Sequence, residues 1–185
     1  MLSPIITVYK HFPLQFFITI FLMAGVAVCL LLHLRRLLSE ERLSRVEAVC
    51  SWLLAVCAMG ILFFTVLGRR SWDVYRYNFD MGYSYRALLY GGDAELVRQV
   101  LVNIAAFVPV GAFGFFAFRR LRVLASLLCG VGLSALIELL QLVLRRGCCE
   151  IDDIMGNLFG TLAGIAAAGA VSVALRLIIR RNGQT

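Results

Sequence analysis

The chain alternates long apolar runs with short basic or polar breaks. Each run is close to the ~20 residues that a helix needs to cross the hydrocarbon of a bilayer. The runs cover Leu14–Leu34, Val46–Leu67, Gln99–Phe118, Val123–Leu144 and Ile154–Ile179, and Arg35-Arg36, Arg69-Arg70 and Arg119–Arg122 punctuate them. This pattern predicts an all-α integral membrane protein, a bundle of about five transmembrane helices. The first run has neither a basic region ahead of a short core nor a small-residue cleavage site, so it reads as a retained span. Between the second and third runs lies a polar stretch, Ser71–Arg98, that carries Trp72, Tyr75, Tyr77, Tyr83, Tyr85 and Tyr90. That aromatic density suits a segment lying at headgroup level.

Polar and small residues recur inside the runs at helical spacing. Asn103, Phe107, Gly111 and Gly114 share one face of the third predicted helix. Gly130, Ser134, Glu138, Gln141 and Arg145 do so in the fourth, and Asp153, Asn157, Gly160, Gly164 and Ala168 in the fifth. Each stripe is small toward one end and polar toward the other. The small ends predict close helix approach, and the polar ends must meet one another or water. Pro109 removes a backbone donor and should bend its helix, which neighbouring helices can tolerate in a membrane.

Composition sharpens the membrane reading. Of 185 residues 61% are hydrophobic and 16% charged, against the roughly one quarter charged expected of a water-facing domain. Mean hydropathy is +0.87. A net charge of +7 raises nucleic acid as a partner, but the arginines cluster at the ends of apolar runs as membrane-flanking residues do. The expected partner is therefore the lipid bilayer, with no nucleic acid. Five spans put the termini on opposite sides. Ten basic residues fall in segments 34–45, 119–122 and 176–185, against eight on the other side, which favours an outside N-terminus and a cytoplasmic C-terminus. Of the six cysteines, Cys29, Cys50, Cys57 and Cys129 lie in apolar runs as small hydrophobes. Cys148-Cys149 has neither zinc nor thioredoxin spacing, which leaves two incidental thiols or a disulfide under oxidising conditions. No metal and no cofactor is expected.

An ionisable residue inside a span is expensive and marks a functional site by default. Glu138 lies seven residues before Arg145, roughly 10 Å below the loop. Asn157, four residues beyond Asp153, is about 6 Å in. With Asn103 and Gln141 they should converge in the outer third of the bilayer. Asp152 and Asp153 stand above, and Arg98, Arg145 and Arg146 at the mouth could hold phosphate or carboxylate. The plainer alternative is a hydrogen-bonded clasp that only fixes helix register, at about 0.6–2 kcal/mol per contact. That gain is small against the cost of an acid in hydrocarbon.

The same residues carry a resemblance. N-x-x-x-F-x-P-x-G (Asn103, Phe107, Pro109, Gly111) precedes I-E-L-L-Q (Ile137–Gln141), and I-D-D-x-x-x-N-x-x-G-x-x-x-G (Ile151–Gly164) follows. Thr65 and Arg69 match a T-x-x-x-R at the end of an early span. Over residues 60–170 the chain resembles the VanZ-like family. It departs in one segment, where the family's N-L-x-P-F corresponds to Asn78-Phe79-Asp80-Met81 without the proline. The expected organisation is an additional helix and loop over 1–45, then a four-helix membrane domain over 46–180. The resemblance implies a multi-pass protein of the bacterial cytoplasmic membrane, some of whose relatives are associated with low-level teicoplanin resistance. It supplies no reaction.

Three functions follow as expectations. The first is binding or handling of an envelope component at the outer leaflet: a lipid headgroup, a lipid-linked precursor or a lipoglycopeptide. Teicoplanin's lipid tail fits that reading. The second is an intramembrane hydrolase or transferase using Glu138, Asp152 and Asp153. Against it, His11 and His33 lie outside the motifs, and the acids can instead neutralise Arg145 and Arg146. The third is a small transporter or flippase with Glu138 as its proton-coupling carboxylate, although no inverted repeat is evident.

Overall fold

The computed structural model describes residues 44–182 except 70 and 92, together with Gly25. The predicted span at 14–34 lies outside the described residues. Helix α1 (Arg45–Leu62) begins at a reciprocal cap: the Glu47 amide donates to Ser44 Oγ at 3.2 Å, and the Ser44 amide to Glu47 Oε2 at 3.0 Å. It widens into a π-helical turn, Phe63–Leu67. An irregular segment follows, with a two-residue strand β1 (Tyr77–Asn78) and a short helix α2 (Tyr83–Tyr90). Asp93 caps helix α3 (Ala94–Ala117), a tight turn leads into α4 (Arg122–Leu144), and strand β2 (Cys149–Glu150) leads into α5 (Ile151–Asn182). The stretches Arg45–Leu67, Ala94–Ala117, Arg122–Leu144 and Ile151–Asn182, of 23, 24, 23 and 32 residues, are long and apolar enough to cross a membrane. The architecture is the predicted one, an all-α bundle of spans.

The spans pack through the predicted faces. Phe107, Gly111 and Gly114 of α3, Gly130, Ser134, Glu138 and Gln141 of α4, and Asp153, Asn157, Gly160, Gly164 and Ala168 of α5 are all buried. Helices α3 and α5 meet backbone to backbone. A Cβ on Gly160 would overlap the carbonyl oxygen of Ile104, one on Gly164 that of Val108, and one on Gly111 that of Thr161. At that separation Cα–H groups face carbonyls directly, a weak attraction that only glycine permits. Thr161 fills the notch left by Gly130, and Ser126 the one left by Gly114. Helix α3 continues through Pro109 without ending there. Leu54, Val66, Phe107, Val110, Ala117 and Ile137 form the apolar core at the same depth.

Beyond the polar ends of the stripes, β1 pairs in parallel with β2, Tyr77 opposite Cys149 and Asn78 opposite Glu150. This pairing draws the aromatic 71–90 segment over the mouth of the bundle.

Candidate functional site

The site is built in levels, from the middle of the bundle outward. Deepest, Asn157 donates from its amide nitrogen to Ser134 Oγ at 2.9 Å, and the Thr161 hydroxyl donates to the Asn157 carbonyl at 2.8 Å. The Ser134 hydroxyl serves one amide atom of Asn157, and the other, Oδ1, is buried with no partner. One turn outward, Glu138 Oε2 accepts the backbone N–H of Glu150 at 2.8 Å. Gln141 donates to the Thr65 carbonyl at 3.1 Å. That carbonyl can only accept, so Gln141 Oε1 is fixed as the unpartnered atom, and it too is buried. At the top, Gln99 Nε2 lies between two acids, 3.3 Å from Asp153 Oδ1 and 3.4 Å from Glu150 Oε2. Three carboxylates, Glu138, Glu150 and Asp153, therefore share one space. Arg69 is the cation facing it. Its guanidinium lies over Gly147, where a Cβ would stand 2.8 Å from Nη1 and 3.3 Å from Gln141 Cδ. Gly147 also has φ +106, so a side chain is disfavoured there by backbone and neighbours alike.

The adjacent aspartates do different work. Consecutive residues on a helix point about 100° apart. Asp153 turns into the cluster, whereas Asp152 turns toward α2 and accepts the amides of Gly82 at 2.7 Å and Ser84 at 2.8 Å. Asp152 thus caps α2 and fastens it to α5. Tyr85 adds its hydroxyl to the Asp152 carbonyl at 3.4 Å. Burial, then the charges of Asp152 and Asp153, push the Tyr85 phenol up to about 12.

The three arginines expected at the mouth are engaged elsewhere. Arg145 ends α4 in the left-handed region (φ 53), a bend that costs a non-glycine residue about 1–2 kcal/mol. The bend carries its guanidinium to the Asp73 carbonyl (3.3 Å) and the Tyr75 hydroxyl (3.2 Å), over the Tyr75 ring. Arg146 donates to the Leu67 carbonyl at 2.9 Å, closing the π-helical turn of the first span. Arg98 pairs with Glu95 one turn away on the exposed side of α3. Asn103 is half-buried beside Gly156, and among the described residues its amide has no hydrogen-bond partner.

Gln99, Glu150 and Arg69 were not among the expected site residues. Gln99 precedes Asn103 by one helical turn and so extends that stripe, and Arg69 already stands in the T-x-x-x-R resemblance. Nothing in the spacing pointed to Glu150, which reaches the site through the β1–β2 pairing. Among the described residues no group of His, Cys, Asp and Glu has metal-holding geometry. Cys149 stands beside Glu138, but burial first, and then the Glu138 carboxylate, push its thiol up. Cys148 is pushed to about 11 by burial and then by Glu150. Both shifts run opposite to those of an activated nucleophile.

The polar blocks on α3, α4 and α5 thus meet in one buried cluster, in the order and at the spacing of a family pattern. A family comparison matches residues 16–172, most of the chain, to VanZ/LLP1. The chain belongs to the VanZ/LLP1 family. The match begins ahead of the motif-bearing region and takes in the predicted span at 14–34. No curated protein and no solved structure matches the chain. Within a VanZ/LLP1 protein the motifs now have physical roles. The I-E-L-L-Q block supplies Glu138 and Gln141, the paired aspartates supply one site carboxylate and one helix fastener, and the G-x-x-x-G block supplies the floor.

Proposed function

We propose that this VanZ/LLP1 membrane protein binds and handles a component of the cell envelope at the membrane face bearing the 71–90 segment. The component is a lipid headgroup, a lipid-linked precursor or a lipoglycopeptide. The observation that carries this reading is the excess of acceptors. Glu138, Glu150 and Asp153 crowd a space in which Gln141 Oε1 and Asn157 Oδ1 are buried without donors. Each orphan costs about 1–3 kcal/mol, which a fold serving only as a clasp would not retain. Such a space suits donors: an ammonium or the hydroxyls of a sugar. Arg69 at its lip is placed for a phosphate or carboxylate on the same ligand. Exposed Trp72, Tyr75, Tyr77, Phe79 and Tyr83 offer faces for acyl or sugar portions.

The arginine asymmetry supports an orientation with this face outside the cytoplasmic membrane of a bacterium, and hence the outer leaflet as the place of action. The contacts of Thr161 with Gly130 and Gly111 favour a one-sided site over a route through the bundle. A hydrolase reading keeps Glu138 and Asp153 but loses Asp152, whose two oxygens are occupied by α2. The test is to substitute Glu138→Gln and Asp153→Asn in a bacterial host in which the protein raises teicoplanin tolerance. Tolerance should fall to the level of the empty host while membrane levels of the protein hold. Unchanged tolerance at normal levels would discard the site.

A further inference from the structure

At the opposite end of the bundle, α3 ends at Ala117 and α4 restarts at Arg122 through a turn that places Leu121 in the left-handed region. A cleft of about 680 Å³ opens there, lined by Arg119 and Arg122 from the turn, Arg176 from α5, and apolar Phe115, Leu124 and Leu127 among others. Three guanidinium groups from two distant stretches of chain therefore border one space. Arg122 rests over the Phe115 ring, 5.6 Å from its centre. No acidic residue occurs between 96 and 137 or between 154 and 185, so neither the α3–α4 turn nor the distal half of α5 supplies a neutralising carboxylate. The amide end of α4 opens into the same place, and no side chain caps it.

We infer that this cleft is a binding site for the headgroup of an anionic phospholipid. Charge complementarity selects an anion, and guanidinium groups hold a phosphodiester by paired hydrogen bonds. The walls select a lipid over a free ion. Leu124 and Leu127 belong to a membrane-spanning helix whose neighbouring Val123 and Leu128 are exposed, so the cleft continues into a surface that acyl chains cover. A basic pocket between spans at the membrane surface is the arrangement that recognises such headgroups. The inference uses none of the residues of the acceptor-rich site, and it stands whether or not that site binds an envelope component.

The test is native mass spectrometry of the purified full-length protein in detergent, titrated with phosphatidylglycerol and, separately, with phosphatidylcholine of the same chains. Phosphatidylglycerol should bind about tenfold tighter. Arg122→Gln with Arg176→Gln should remove most of that preference. Arg180→Gln with Arg181→Gln, an equal loss of charge farther along α5, should leave it. Equal binding of the two lipids by the unaltered protein would overturn the inference without any variant having to fold. So would an equal loss in both double variants, which would indicate diffuse surface charge. Displacement of the lipid by millimolar inorganic phosphate would reassign the cleft to a free anion and overturn it as a lipid site.

Discussion

The same three helices build two unlike regions. Around Gly111, Gly160 and Gly164 they touch through backbone and leave no room for one added carbon. Two turns away, around Glu138, Gln141 and Asn157, they are held apart by polar side chains, two of which lack a partner. Close packing and hydrogen bonding are alternative ways to join helices in a medium where apolar burial gives no drive. This bundle uses the first to fix position and the second to keep a polar space open.

The contrast can be broken hardest at the glycines. Gly164→Leu forces a side chain into the Val108 carbonyl and should cost about 3 kcal/mol or more, seen as aggregation of the detergent-solubilised protein at a much lower temperature. Glu138→Gln in the polar region should leave that temperature nearly unchanged, because the amide oxygen still accepts from Glu150.

Asp152→Ala should have the next largest effect. It strips two buried amides of their acceptor and should cost about 1–3 kcal/mol. The loss should be local, read as faster proteolysis within 71–90 while the spans stay protected.

A smaller and pH-dependent effect concerns the thiols at the mouth. The Cys148 pKa is raised to about 11, so its thiolate is scarce at neutral pH and grows as pH rises toward that value. In a variant lacking the other five cysteines, alkylation at pH 8 should be about a hundredfold slower than for an ordinary thiol of pKa near 8.5. It should climb steeply through pH 9–11. A rate already flat above pH 9 would mean that Cys148 is not held against Glu150. The smallest effect is expected for Arg98→Ala, whose pair with Glu95 is exposed: no measurable change in thermal behaviour.

Much of this was legible before any coordinates. Spacings of three and four placed Glu138, Gln141, Asn157 and the glycines on inward faces, because a helix in lipid turns its few polar and small groups to its neighbours. The third span begins earlier than hydropathy suggested, at Ala94, since Asp93 caps it and Glu95 and Arg98 suit a helix rising out of hydrocarbon. The fates of the arginines were not legible. Arg146 answers a carbonyl at Leu67 that a π-helical turn sets off the usual ladder, and Arg145 is aimed by a left-handed residue. Such backbone departures leave no trace in periodicity. Asp152 and Asp153 were read as partners, and the helical twist separates them.

That separation has a mechanical corollary. The opening turn of α5 grips the amphipathic flap α2 with one carboxylate and faces the acceptor cluster with the next. Whatever lodges against Asp153 and rotates that turn must drag the flap with it, so occupancy inside the bundle is transmitted to the aromatic surface above by a lever one residue long.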